Sequence, residues 1–140
     1  MFHNLVAKTL CTTKWERPDT HTAVAFLTKI VIEPNKDEWG KPFHPMKYIR
    51  GTRDLYLILS ANGSGGLKWW IGASYEVHPN MWGHTGGGIS TGRGFPILTS
   101  TKQKINTQSS TESDIVVVHD CMLDVYWTRY FMEAQGYQVM

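Results

Sequence analysis

From residue 67 onward the chain alternates. Trp69, Ile71, Ala73, Tyr75 and Val77 fall on one side of an extended segment, and Trp70, Gly72, Ser74 and Glu76 on the other. That period of two predicts a strand over 69–77, closed by His78-Pro79-Asn80. Two more short strands are predicted over 85–90 and 95–100, joined by a turn at Gly92-Arg93-Gly94. Strands so close together make an antiparallel meander. The pattern then changes at Ser109-Ser110-Thr111-Glu112, a capping box in which a hydroxyl accepts from the third amide while the glutamate reaches back. It opens a helix with a predicted apolar face of Val118, Cys121, Met122, Val125 and Tyr126, ended by Gly136. A strand over 115–118 is the competing assignment.

The first fifty residues read as helical. Ala23, Phe26, Leu27 and Ile30 recur at helical spacing after Pro18-Asp19, with Asp19 or Thr20 as cap and Pro34-Asn35 as terminator. A second candidate over 37–51 contains Gly40, Pro42 and Pro45. An interior proline costs roughly 3 kcal/mol, which leaves only 46–50 as dependable helix. Leu55, Tyr56, Leu57, Ile58 and Leu59 read as a strand, and the Gly- and Ser-rich stretch 61–66 reads as a linker between a helical segment, 1–60, and a second domain, 67–140.

Composition narrows the class. With 140 residues, 41% of them hydrophobic, the chain can bury one modest core, and it is neither collagen, coiled coil nor wholly disordered. The 12% aromatic content and 13 glycines favour sheet and turns. Its apolar runs are too short to span a bilayer and the N-terminus lacks the order of a secretory signal, so no membrane partner and an intracellular location, cytoplasmic or nuclear, are expected. Cys11 and Cys121 are then expected to be free thiols, and Asn62-Gly63-Ser64 a turn rather than a glycosylation site. A net charge of +2 does not by itself mark a nucleic-acid binder, because clustering decides that.

Several constellations invite chemistry. Gly86, Gly87, Gly88, Gly92 and Gly94 lack the Lys-Ser/Thr and following helix of a phosphate loop, and hairpin geometry accounts for them. His78, His84, His119 and Cys121 do not have zinc-ligand spacing, since His119 and Cys121 point about 200° apart on a helix. Cys121, on an apolar helix face, reads as a small hydrophobe rather than a nucleophile. Trp69, Trp70, Trp82 and Trp127 could form a stacking platform, with core the better reading for Trp69 and Trp127 and the two readings balanced for Trp82. Lys102, Lys104 and the polar residues 106–111 precede a helix N-terminus, where a phosphate contact zone competes with a solvated, well-capped loop.

The stretch Ser100-Thr101-Lys102-Gln103-Lys104 through Ser109-Ser110-Thr111-Glu112-Ser113-Asp114 resembles the ribonuclease H segment of copia-type retrotransposon polyproteins, where a pattern like S-x-K-Q-x-x-x-x-x-S-S-T-E-A-E opens the first helix. His84-Thr85-Gly86-Gly87 is similar to the family's preceding hairpin, and the run from Trp127 to Tyr137 to its W-x-R-x-x-L-x-x-x-G helix end. Upstream, Arg17-Pro18-Asp19 with Ala23-Val24, and Tyr48-Ile49-Arg50-Gly51-Thr52, resemble the R-P-D-I-x-x-A-V and Y-L-K-G-T segments that join reverse transcriptase to ribonuclease H. These landmarks stand in the family's order across nearly the whole chain.

The resemblance implies an α/β (α+β) chain: a helical reverse transcriptase connection, then a truncated ribonuclease H-like fold of three antiparallel strands and one long helix. It implies hydrolysis of the RNA strand of an RNA–DNA hybrid by two magnesium ions bridged by carboxylates. Residue by residue the set is incomplete. The first-strand aspartate position is Gly72, and Glu76, four residues on, lies roughly 13 Å away along a strand. The helix glutamate position is Asp114, one methylene shorter, and the later aspartate is expected beyond residue 140. The helix-breaking Gly40, Pro42 and Pro45 and the absence of Tyr-x-Asp-Asp fit a decayed or truncated element. The expected function is therefore an inactive retrotransposon-derived fragment with at most weak nucleic-acid binding and no cofactor, Asp114 being the one candidate ligand for magnesium. One alternative is a domesticated module that holds a hybrid or single strand through Trp82, Arg93, Lys102 and Lys104. Another is a ribonuclease active only when a second chain completes it. An open sheet edge is expected to promote self-association.

Overall fold

Thr9 and Thr13 explain why the first helix escapes a hydropathy reading. In the computed structural model, which describes residues 1–63 and 66–139, α1 spans Phe2–Trp15 and buries Phe2, Val6, Thr9 and Thr13 along one stripe. Two of those four are polar, and both hydroxyls are satisfied: Thr9 donates to the Leu5 carbonyl at 2.9 Å, and Thr13 shares a 2.8 Å bond with Thr20. Among the described residues the chain divides into two compact units, 1–57 and 58–140. Ser64 of the Asn62-Gly63-Ser64 turn and the middle of the 61–66 linker lie outside the described residues.

In the first unit a short 3-10 turn, Pro18–Thr20, leads into α2, His21–Leu27. That helix stops short of Ile30. Instead Ile30 and Val31 pack irregularly against a core of Phe2, Val6 and Leu27, as β-branched residues that resist helix can. Trp39 adds an edge-to-face contact with Phe2, ring centroids 5.4 Å apart. The next helix, α3, runs Phe43–Gly51 and so begins before the predicted 46–50. Pro45 is its third residue. The amides of a first turn have no intrahelical partner, so the missing N–H costs nothing there.

Arg17 ties this unit together. Its guanidinium donates to both carboxylate oxygens of Asp19, at 3.0 and 2.7 Å, and to the carbonyl and hydroxyl of Thr52, at 3.0 and 2.6 Å, and lies 5.4 Å from the Tyr48 ring centre. The bidentate bond holds the Asp19 carboxyl below its usual range. Residues 55–59 are not a strand, contrary to the reading of their apolar run. All five side chains are exposed, and pairing begins only at Ser60.

The second unit contains two small antiparallel sheets. A ribbon pairs β1, Ser60–Ala61, with β4, Gly92–Arg93. The larger sheet has the order β2 (Lys68–Ser74), β3 (His84–Ser90), β5 (Ile97–Lys102). With the helices this makes the chain α+β. β2 ends three residues before the predicted 77, because Glu76 has φ +51°, a left-handed turn that stops the alternation. β5 is also shifted, starting at Ile97 rather than 95.

The last helix, α4, spans Ser110–Ala134, which removes the strand alternative for 115–118. Ser109 caps it, accepting from the Glu112 amide at 3.2 Å, while Glu112 accepts from the Gln108 amide at 2.7 Å. Gly136, at φ +87°, follows its end. Its buried stripe is Ser113, Val117, Cys121 and Thr128; of the predicted face Cys121 is buried, Met122 and Val125 are half-buried, and Val118 and Tyr126 are exposed. Trp127, expected in the core, is exposed as well, whereas Trp69 is half-buried. No helix among the described residues is long and apolar enough to cross a membrane.

Candidate functional site

Strand pairing fixes which side chains share a face. Thr85, Gly87 and Ile89 of β3 look toward α4: a Cβ on Gly87 would stand 3.0 Å from the Cys121 sulfur, and Thr85 donates to the Asp120 carboxylate at 2.9 Å. Their partners in register, Trp69, Ile71 and Ala73, take the same side. His84, Gly86 and Gly88 therefore point the other way, with Gly72 and Ser74 of β2 and Leu98, Ser100 and Lys102 of β5 beside them.

On this second face, at the start of β3, a chain of hydrogen bonds is built from three buried side chains. His78 Nε2 lies 3.1 Å from His84 Nδ1, and His84 Nε2 lies 2.8 Å from Ser100 Oγ. A neutral His84 serves both contacts, donating through one ring nitrogen and accepting through the other. The connectivity is that of a nucleophile, a base and an orienting group. With all three side chains buried, however, its effect is to fasten the loop 75–83 onto the sheet. That loop needs fastening, since it contains two left-handed non-glycine residues, Glu76 and Met81 at φ +61°. The same loop brings the Trp82 ring over the Lys102 ammonium, 4.5 Å from nitrogen to ring centre. This cation–π pair is the one place where two of the sequence-predicted contact residues meet.

A second fastening joins the loop, β5 and α4. Gln103 is buried, donates to the Ser113 carbonyl at 2.9 Å, accepts from the Ser113 hydroxyl at 2.9 Å, and through its amide reaches the Gly83 carbonyl at 3.0 Å. A Cβ on Gly83 would collide with the Gln103 carboxamide, so any larger residue must displace that bonded side chain. Sequence reasoning did not single out these three residues. Gln103 and Ser113 do fall within the motif-like stretch 100–114, and a buried amide between two segments was the available signal.

The other predicted site residues do not converge. Arg93 sits on β4, beyond the end of β3, while Lys102 pairs with His84 at its start, roughly 20 Å away along the strand. Lys104 is exposed in the loop before α4. At the α4 N-terminus Glu112 accepts from the Gln108 amide, just before the cap. Asp114 is exposed on α4, on the opposite side of the sheet from the direction in which position 72 points. Gly72 supplies no ligand atom, and a Cβ built there would meet nothing within 4 Å. Among the described residues no three His, Cys, Asp or Glu side chains group as metal ligands. Positions 72 and 114 hold one carboxylate between them, and it lies across the sheet from the direction of position 72. Comparison with protein-family models, curated proteins and solved structures gives no match to the chain.

Proposed function

We propose that the chain is a copia-type reverse transcriptase/ribonuclease H remnant that binds nucleic acid weakly and does not cleave it. In this reading its second unit corresponds to the first strands and first long helix of a ribonuclease H-like fold. The succession of β2, β3, β5 and then α4 supports that assignment, as does Arg17, which joins the two upstream motif-like segments through Asp19, Tyr48 and Thr52. The observation that carries the catalytic half is position 72: a glycine, facing away from the helix that bears Asp114. Two dications about 4 Å apart need bridging carboxylates, and this pair of positions offers one carboxylate on the wrong side of a sheet.

The binding half rests on Trp82 and Lys102. An indole held beside an ammonium offers a stacking surface for a base and a charge for its phosphate. The affinity is low, because the second unit has five Lys and Arg against six Asp and Glu. Fluorescence anisotropy with a labelled RNA–DNA hybrid and a labelled single strand, at several salt concentrations, tests this. The expected slope of log affinity against log salt is shallow, about −1 to −2, and falls by about 1 in Lys102→Ala. Trp82→Ala is expected to weaken single-strand binding about tenfold. Binding that is indifferent to both substitutions would contradict the site.

A further inference from the structure

The outward side of α4 is covered by large apolar side chains. Leu123 is 78% exposed, Tyr130 63% and Trp127 62%, with Tyr126 and Phe131 about half exposed beside them. Their rings are ordered along the helix: Tyr126 stacks on Tyr130 and Trp127 on Phe131, centroids 6.2 and 5.4 Å apart and planes within 16° and 10° of parallel. An ordinary surface helix carries charged residues on this side. We propose that this stripe is a self-association surface, through which α4 packs antiparallel against α4 of a second copy about a two-fold axis near Trp127.

Charge excludes a nucleic-acid strand as the occupant. Asp120, Asp124 and Glu133 flank the rings, and Arg129, the one Lys or Arg of α4, is committed to Glu133 at 2.8 Å, so the helix itself offers a phosphate no ready cation. Self-complementarity selects a second copy. In an antiparallel pair centred on residue 127, opposed positions add to 254. Leu123 then meets the partner's Phe131, and Trp127 meets its own copy. Asp120 falls opposite the partner's Ala134, and Glu133 opposite the partner's Cys121, so no like charges oppose. The five side chains present about 600 Å² per copy, approaching the roughly 800 Å² per partner of a stable interface. An isologous contact of this kind closes at two copies and leaves the edges of β2 and β5 out of the interface.

Sedimentation equilibrium of the full chain across the micromolar range tests the proposal. The expected result is a concentration-dependent dimer that Trp127→Glu weakens more than about tenfold while the circular dichroism spectrum is unchanged. If that variant loses its fold, Leu123→Lys is read in its place, with the same expectation. Ile115→Glu, on the same helix and 66% exposed but outside the paired segment, is expected to leave the dimer intact. A monomer at every concentration would overturn the proposal. So would a dimer that survives both seam substitutions, or assembly beyond two copies.

Discussion

Gly83, Gln103 and Ser113 carry no chemistry of their own, yet they decide where Trp82 and Lys102 stand. Gly83→Ala forces a methyl into the Gln103 carboxamide and is expected to cost about 1–3 kcal/mol, read as a lower urea midpoint with an unchanged slope. Gln103→Leu leaves the Ser113 carbonyl and hydroxyl without their partner and is expected to cost a similar amount. Gly72→Asp provides a contrast. Its open surroundings accept the side chain, so stability should change by no more than about 1 kcal/mol, and magnesium-dependent cleavage should stay absent because the carboxylate points away from α4. The two thiols differ in the same local way. Cys11 is exposed, whereas burial, with Asp124 and Asp120 nearby, pushes the Cys121 thiol up. A disulfide-exchange reagent is expected to label Cys11 at once and Cys121 only after denaturant is added; two fast thiols would show that the α4–β3 contact is open. Cys121 was legible as a small hydrophobe from its helical position. The His78–His84–Ser100 chain was not, because its members are 6 and 16 residues apart and only the fold of the 75–83 loop brings them together.

Among the elements, α4 was the most legible in its ends and the least in its face. Ser109 and Gly136 were visible as cap and terminator, and Ser109→Ala is expected to destabilise the second unit by about 1 kcal/mol. The buried stripe was legible only in part, at Cys121, because its two polar members are satisfied locally, Ser113 by Gln103 and Thr128 by the Asp124 carbonyl, while apolar residues occur on every side of the helix. The same cause hid α1, where Thr9 and Thr13 do the work of aliphatic residues. The 55–59 run failed in the opposite sense, since a strand needs a partner and this one has none before Ser60. In the helical unit acid acts in two stages. Burial, and Lys14 nearby, lower the His21 pKa from 6.5, so the folded form resists a proton that the unfolded chain accepts. That contribution is complete above about pH 6.5 and is lost as pH falls below it. Asp19, lowered by its bond to Arg17, adds stability present above the ordinary carboxylate range and lost as pH falls through its folded value. Urea midpoints between pH 7 and 5 should therefore fall in the wild type and stay flatter in His21→Gln; identical profiles would remove His21 as the cause.

At the scale of the whole molecule, the net +2 conceals a division. Residues 1–57 have nine Lys and Arg against six Asp and Glu, and residues 58–140 have five against six. The second unit is thus slightly acidic, which fits the proposed weak binding through one aromatic–cation pair rather than a basic groove. The order of strands and helix in that unit was readable from alternation and capping, while the direction of position 72 needed the register of β2 on β3. The most direct measurement follows an end-labelled RNA–DNA hybrid over time with excess protein and magnesium, at low salt where the anisotropy shows it to be bound. The RNA strand is expected to be shifted but intact. Magnesium-dependent cleavage that disappears in Asp114→Asn would contradict it.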